Sequence, residues 1–290
     1  MLDFIINPIA GGRHGKATRK IVAKIEGFLQ ARNVEYTLHL TTKQGHARTL
    51  TESLIKKGCT DIIVVGGDGT LHEVINGFSN FEKVNLGLIP CGTGNDFASA
   101  VKIPKDPIKA LELIVNGTPK YTDFMQMPSV RGINIIGTGI DVDVLRAYNK
   151  LKRKNKLGYT WCLIKTLFKF EYSDFTAKLD GESRDYRSFI ACIANGRVYG
   201  GGIPTCPIAN PTDNKLNFLA VKEIPRLKII FAFLKLKAGK IMSFKETEHF
   251  TCEQVEINTK KPCAINVDGE LYENIPFEVK IVANTLKMYR

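Results

Sequence analysis

Three glycine-rich turns concentrate the residues able to grip a phosphate: Asn7-Pro8-Ile9-Ala10-Gly11-Gly12, Gly66-Gly67-Asp68-Gly69-Thr70 and Pro90-Cys91-Gly92-Thr93-Gly94-Asn95-Asp96. Glycine lets backbone N–H groups approach an anion with no Cβ in the way, and a helix start that follows adds unpaired donors and partial positive charge. Each turn follows a short apolar run, so each falls at the carboxyl end of an expected strand, the edge where open α/β sheets bind ligands. One such turn is equally well explained as a strand-to-helix connection, which needs glycine anyway. Three together suit a polyphosphate. None has the GxxxxGK[ST] spacing of a P-loop, and no GxGxxG dinucleotide fingerprint is present.

Carboxylates at two further turns could do acid–base work. Asp268-Gly269-Glu270 and Asp180-Gly181-Glu182 have the same form. Asp-Gly after an alternating strand is also an ordinary hairpin turn, so spacing alone does not choose between them.

The elements that must position these residues fall into two groups. Residues 2–6, 34–40, 61–65 and 84–89 read as strands; 16–32, 45–57, 71–78 and 106–116 read as helices by their apolar periodicity. This βαβαβαβα pattern with short connections predicts a doubly wound α/β nucleotide-binding domain over residues 1–126. From there the chain shows runs at 175–179, 188–194, 216–221, 251–257, 263–267 and 277–282 separated by turn residues. They predict a mostly antiparallel β-sandwich domain over residues 127–290. The last strand is free to return to the first domain.

The chain has 290 residues and a formal charge of +12. Of its 41 Lys and Arg, eight lie in residues 146–170 and six in 224–245, with no acid in either, leaving 27 against the 29 Asp and Glu. Both segments read as helical and interleave charge with large apolar residues, such as Leu157, Trp161, Ile229, Ile230, Phe231 and Leu234. A solvated helix face accounts for charge alone. Basic and apolar residues together favour an anionic lipid surface. No zinc-finger spacing, RNP pattern or basic heptad points to nucleic acid. At 44% hydrophobic and 24% charged residues, disorder, collagen and small disulfide scaffolds are excluded. No charge-free run reaches the roughly 18 residues of a membrane span, and the longest, Val198 to Thr212, is broken by glycine and proline. The seven cysteines form no CxxC pair, which speaks against a disulfide framework or zinc ribbon. The start of the chain does not resemble a signal peptide, so a cytoplasmic location is expected.

The run GGDGTLHEVING from Gly66, followed by IPCGTGNDFA from Ile89, resembles the diacylglycerol kinase catalytic-domain family, in particular its soluble bacterial lipid kinases. GGDGT also occurs in NAD kinases. With PxGTxND downstream, the opening NPxAG and the late DGE, the resemblance spans nearly the whole chain. It implies ATP against Asn7, Pro8, Ile9, Ala10 and Gly11, against Thr42, against Gly66, Gly67, Asp68, Gly69, Thr70, Leu71 and His72, and against Thr93 and Asn95. A carboxylate beside phosphate needs a cation between them, so Asp68 would take part in Mg²⁺ binding; the alternative is that it caps the helix starting near Thr70. Asp96 and Asp123 are further acids of the same kind. The Asn-x-Asp-Gly-Glu context, with Asn266 two residues earlier, selects Asp268 as the base for the acceptor hydroxyl and Glu270 as its assistant, and leaves Asp180 as a plain turn. Asn210-Pro211-Thr212-Asp213-Asn214-Lys215 resembles the family's structural Mg²⁺ loop, with Asp213 as side-chain ligand and Asn210 and the Lys215 backbone beside it; a simple Asp-containing turn is the alternative. Asn195–Gly202 resembles a glycine-rich wall of the family's cleft.

The resulting expectation is a kinase that moves the γ-phosphoryl group of Mg-ATP to a lipid hydroxyl, diacylglycerol or a related lipid alcohol. It would be held peripherally at the inner face of the membrane by segments 146–170 and 224–245. An NAD-kinase-type soluble enzyme and a non-catalytic nucleotide or lipid sensor are the alternatives. The acceptor and the oligomeric state are not encoded in any motif.

Overall fold

The computed structural model describes residues 1–11, 16–151, 156–167, 170–259 and 263–290. Gly12 of the first turn and Lys152, Arg153, Lys154 and Lys169 of the first basic segment lie outside the described residues, as do the side chains of Lys156, Tyr159 and Arg226. The chain separates into two compact units, Met1–Asp123 with Ala283–Arg290, and Phe124–Val282.

The first unit runs β1 (Leu2–Ile6), α1 (Lys16–Gln30), β2 (Tyr36–Leu40), α2 (His46–Lys56), β3 (Asp61–Gly66), α3 (Asp68–Gly77), β4 (Asn85–Pro90), α4 (Asp96–Ala100), α5 (Pro107–Asn116) and the start of β5 (Lys120–Gln126). The strands pair in parallel in the order β4-β3-β1-β2. Successive strands are therefore added to one side of β1 and then to the other, which makes the gap between β1 and β3 the switch point at which such sheets open a crevice. Ile62, Ile63, Val64 and Val65 are all fully buried. That is why β3 is a continuous apolar run rather than an alternating one. The helices cover the sheet in pairs, α1 with α5 and α2 with α3.

The second unit adds β6 (Arg131–Gly132), β7 (Ile135–Gly139), α6 (Ile140–Asn149), α7 (Lys156–Leu167), β8 (Ser173–Leu179), β9 (Glu182–Ala194), β10 (Leu216–Lys222), α8 (Arg226–Lys237), β11 (Thr247–Cys252), β12 (Gln254–Thr259), β13 (Ala264–Val267), β14 (Glu270–Glu273) and the start of β15 (Glu278–Met288), whose remainder belongs to the first unit. Its pairings are antiparallel. Alternate residues face two different cores. Ala191 and Ile193 of β9 and Leu216, Phe218 and Ala220 of β10 fill the sandwich interior. Their neighbours Cys192, Ala194, Leu219 and Val221 face a second core made with α6, α7 and α8. The end of β15 pairs with β4 in the first unit, Met288 opposite Leu86, where the Tyr289 hydroxyl donates to Asp61 Oδ1 at 2.6 Å.

Three local features differ from the sequence reading. The strand expected over 251–257 is two strands, because the chain bends at Glu253, where the Asp180 carboxylate accepts from Glu253 N (2.9 Å) and Gln254 N (2.8 Å). Asp180 is therefore more than a turn residue. Helix α3 starts at Asp68, not Leu71, and α6 starts at Ile140, ahead of the expected helical segment 146–170. All seven cysteines are free thiols.

Candidate functional site

In the first unit the three glycine turns are fastened to one another. The Asn7 side chain closes its own turn by accepting from Ile9 N at 3.1 Å, and its Nδ2 donates to Thr70 Oγ1 at 3.1 Å. Cys91 N donates to Gly66 O at 2.8 Å. A Cβ on Gly67 would stand 2.9 Å from Gly92 Cα, and one on Gly92 would stand 2.5 Å from Gly67 Cα. The backbones of the second and third turns thus touch, an approach open only to glycine. A Cβ on Gly11 would meet Cys91 O at 2.8 Å, and φ there is +72°. The amide groups at the start of α3 are carried at this convergence.

The expected ligand residues take different places around it. Ile9, Gly69 and Thr93 are exposed, Pro8, Gly67, Asp68 and Asn95 are partly buried, and Ala10, Gly66, Thr70, Leu71 and His72 are buried. The Leu71 side chain belongs to the core, so it is its backbone that lies on the turn. Asn95, with φ +56°, spends its amide on its own loop: Oδ1 accepts from Gly92 N at 2.8 Å and Nδ2 donates to Gly92 O at 2.9 Å. Exposed Thr42 is bonded to His46, its N donating to Nδ1 at 3.1 Å. The Asp68 carboxylate, at the start of α3, reaches the start of another helix. It accepts from Asp96 N and Phe97 N, both at 3.2 Å, so it caps α4 and locks the third turn to the second. Gly94 makes this possible, since a Cβ there would be 2.8 Å from Asp68 Oδ2. Asp96 and Asp123 are buried.

Glu73 escaped the sequence reading. Its oxygens accept from Gly45 N at 2.8 Å and Ala47 N at 3.0 Å, pinning the start of α2, beside Thr42, to α3. The signal was present: Gly45, in the left-handed region at φ +81°, precedes a helix that has no capping side chain of its own.

In the second unit, Asp268 and Gly269 form the tight turn between β13 and β14, at φ +53° and +99°. The Asp268 carboxylate, 6% exposed, accepts from Ile133 N at 2.7 Å, Asn134 N at 2.8 Å and Ile135 N at 3.1 Å. Glu270 is half-buried. The Asn195 segment braces the same strand: Asn195 Nδ2 donates to Ile133 O at 2.7 Å, and Asn134 Nδ2 to Val198 O at 3.0 Å. The two Asp-Gly turns thus share a device, a carboxylate accepting from a neighbouring strand, but Asp180 is exposed and Asp268 is not. In the 210–215 loop, Asp213 Oδ1 accepts from Lys215 N at 3.1 Å and Asn210 Oδ1 from Thr212 Oγ1 at 3.0 Å. Among the described residues no group of three His, Cys, Asp or Glu side chains is arranged to hold a metal ion.

Asp141 is a second residue that the sequence did not announce. It is buried at the start of α6, and burial pushes its carboxyl up to about 7, against the opposing pull of a hydrogen bond from Asn266. It lines an apolar cavity of about 40 Å³ with Ile135, Ile140, Leu163, Tyr199 and Leu236. An adjoining cavity of about 30 Å³ lies beneath α7 and α8. The outer faces of these two helices are apolar as well. Leu157, Trp161 and Ile164 of α7 and Ile230, Phe231 and Leu234 of α8 are exposed, with Trp161 and Phe231 each at 64%. Acids from outside the two basic segments reach into them, Glu273 to Arg146 at 2.8 Å and Glu246 to Lys228 at 3.1 Å. No helix among the described residues is long and apolar enough to cross a membrane.

Comparison with known proteins accounts for both units. Residues 2–127 match the diacylglycerol kinase catalytic domain, and residues 134–290 match the YegS C-terminal NAD kinase beta sandwich-like domain. The chain is 28% identical over 309 residues to the "Putative lipid kinase YtlR" of Bacillus subtilis (strain 168), covering 98% of each. A solved structure of a "putative diacylglycerol kinase" from Bacillus anthracis str. Sterne superposes with a TM-score of 0.81 at 23% identity, covering 99% of this chain and 96% of that one. The NAD kinase of Archaeoglobus fulgidus, solved in complex with ATP, shares the fold at a TM-score of 0.54 and 14% identity, covering 99% and 92%. An α/β nucleotide-binding unit whose glycine turns interlock, joined to a matching β-sandwich that carries the Asp-Gly-Glu turn, places this chain in the diacylglycerol kinase catalytic-domain family, and it is a kinase.

Proposed function

We propose that the protein transfers the γ-phosphoryl group of Mg-ATP to the hydroxyl of a membrane lipid alcohol, with diacylglycerol the first acceptor to test. The observation that carries this reading is the contact between the Gly67 and Gly92 backbones, which brings three turns and the start of α3 together at the switch-point edge of the sheet. Main-chain amides there suit the phosphates, and Asn7, Thr70 and Asn95 hold the turns in shape.

The donor set fits Mg²⁺ carried by a nucleotide better than an ion caged by protein, because Mg²⁺ in phosphoryl transfer is held by one or two carboxylates and by phosphate oxygens. Asp68 is one such carboxylate, fixed by two backbone bonds. When bound, the ion would offset charge on the phosphates. Asp213, with backbone carbonyls of its loop, is the proposed second, structural Mg²⁺ position.

The acceptor hydroxyl gives up its proton to Asp268 as the phosphorus–oxygen bond forms, and ADP leaves with the electrons of the bond that breaks. Three backbone donors hold that carboxylate in one orientation, and Glu270 lies on the following strand to assist. The apolar cavities beneath α7 and α8 support a hydrocarbon acceptor. The exposed Trp161 and Phe231, among Lys165, Lys228, Lys235 and Lys237, support peripheral binding to an anionic leaflet on the cytoplasmic side, where ATP is available.

The test is transfer of labelled γ-phosphate to lipids in mixed micelles, with diacylglycerol, sphingosine, ceramide and phosphatidylglycerol run in parallel. Label in a lipid product is expected. Label in NAD and in no lipid would replace this reading with the soluble-kinase one, and ATP binding without transfer to anything would leave a sensor.

A further inference from the structure

A buried chain of hydrogen bonds in the second unit connects the apolar cavity to the Asp268 turn. Asp141 is 8% exposed and Asn266 1% exposed. Asp141 Oδ1 accepts from Val142 N at 2.9 Å, and its Oδ2 accepts from Asn266 Nδ2 at 3.1 Å. Asn266 Nδ2 also bonds to the Tyr199 hydroxyl. On its other side, Asn266 Oδ1 accepts from Gly269 N at 2.9 Å. The link is built into the sheet. Asn266 stands opposite Gly137 in register, and a Cβ at Gly137 would lie 2.3 Å from Asp141 Oδ2. Only glycine leaves the carboxylate room to reach across β7.

The polarity of this chain matters. An asparagine amide can face either way, and its neighbours decide which. The Tyr199 hydroxyl can donate or accept, so it decides nothing. The Gly269 N–H can only donate, and both Asp141 oxygens accept, Oδ1 from Val142 N and Oδ2 from the Asn266 amide, which turns Nδ2 of Asn266 toward Asp141 and aims Oδ1 at the Gly269 amide. If Asn266 flipped, its NH₂ would face the Gly269 N–H, and the left-handed pair Asp268–Gly269 would lose the bond that closes it.

The geometry points to Asp141 as a positioning residue that, by fixing the orientation of Asn266, sets the Asp268-Gly269-Glu270 turn in its reactive conformation. Asp141 and Tyr199 also line the apolar cavity, together with Ile140 and Leu163. The contents of that cavity are therefore two hydrogen bonds away from the turn. This inference rests on the proposal that the turn acts on the acceptor.

The experiment compares Asp141→Asn, Asn266→Asp and the double variant, using ATP and diacylglycerol in mixed micelles, with the unfolding midpoint measured for each. Asp141→Asn leaves Asn266 free to flip. Its kcat should fall by about tenfold or more, in line with the cost of misplacing a reacting group, while the KM for ATP stays within twofold. The double variant restores a one-way chain, with an amide at 141 donating to a carboxylate at 266 that accepts from Gly269 N. Its kcat should return to within about threefold of wild type. A residue that only holds up the fold would lower activity in step with stability and would not be rescued by the exchange. An unchanged kcat in Asp141→Asn, or no recovery in the double variant despite wild-type-like stability, overturns the inference while leaving the kinase reading intact. A wild-type protein that phosphorylates no lipid overturns both.

Discussion

Replacing Asp141 by asparagine is expected to stabilise the protein at pH 7 and to destabilise it slightly at pH 4. Burial raises the Asp141 carboxyl from 3.8 to about 7. Between those values the unfolded chain has released the proton and the folded chain has kept it. Stability conferred by the neutral carboxyl is therefore fully present below pH 4 and drains away as pH rises toward 7. At about 1.4 kcal/mol per pH unit, the loss by pH 7 is about 4 kcal/mol. Asparagine carries no charge and escapes this loss. Of the two bonds that Asp141 accepts, from Val142 N and Asn266 Nδ2, the variant's single carbonyl can keep one, at a cost of about 1 kcal/mol. The net expectation is a gain of about 3 kcal/mol at pH 7 and a loss of about 1 kcal/mol at pH 4. Urea unfolding of both proteins at half-unit steps from pH 4 to pH 8, followed by far-ultraviolet circular dichroism, measures the difference directly. A difference that does not change with pH would refute the argument, because it would mean that Asp141 is ionised in the folded protein throughout.

Two further outcomes follow from contacts in the structure. A methyl group at Gly92 meets Gly67 Cα at 2.5 Å, backbone against backbone; Gly92→Ala should force the turns apart and weaken ATP binding at least tenfold by calorimetry, whereas the same change at Gly181, with open space around its Cβ position but φ +97°, should cost stability and leave ATP affinity unchanged. Trp161→Ala with Phe231→Ala removes two strongly exposed aromatic side chains of α7 and α8. Sedimentation with anionic vesicles should fall severalfold and retain its salt sensitivity, and equal binding by the double variant would remove these helices from the membrane reading.

The parts of the fold legible in the sequence were those fixed by short-range pattern. Ile62–Val65 reads as buried on both faces because it is, and the glycine turns show themselves because their glycines touch other backbones. Partners brought from far along the chain were not legible. Nothing near Asp68 indicates that its carboxylate caps a helix 28 residues later. Nothing near Glu253 indicates that Asp180 will split its strand. Nothing near Asp141 indicates its partner either; it is the register of β7 and β13 that places Gly137 opposite Asn266 and opens the way between them. The basic segments looked free of acid, yet Glu246 and Glu273 reach them from other elements. Asp268 was singled out by family resemblance, and its three donors, from Ile133, Asn134 and Ile135, lie more than 130 residues away.

The central claim is a division of labour: glycine turns in one unit hold the triphosphate, and the Asp268 turn in the other prepares the alcohol. Asp268→Asn tests it most directly, since asparagine tolerates the left-handed backbone at φ +53° while losing the proton-accepting carboxylate. Single-turnover transfer of γ-phosphate to diacylglycerol should slow by about a hundredfold or more, with the affinity for Mg-ATP within twofold of wild type. Transfer within threefold of the wild-type rate, or a loss of ATP affinity that matches the loss of rate, would contradict it.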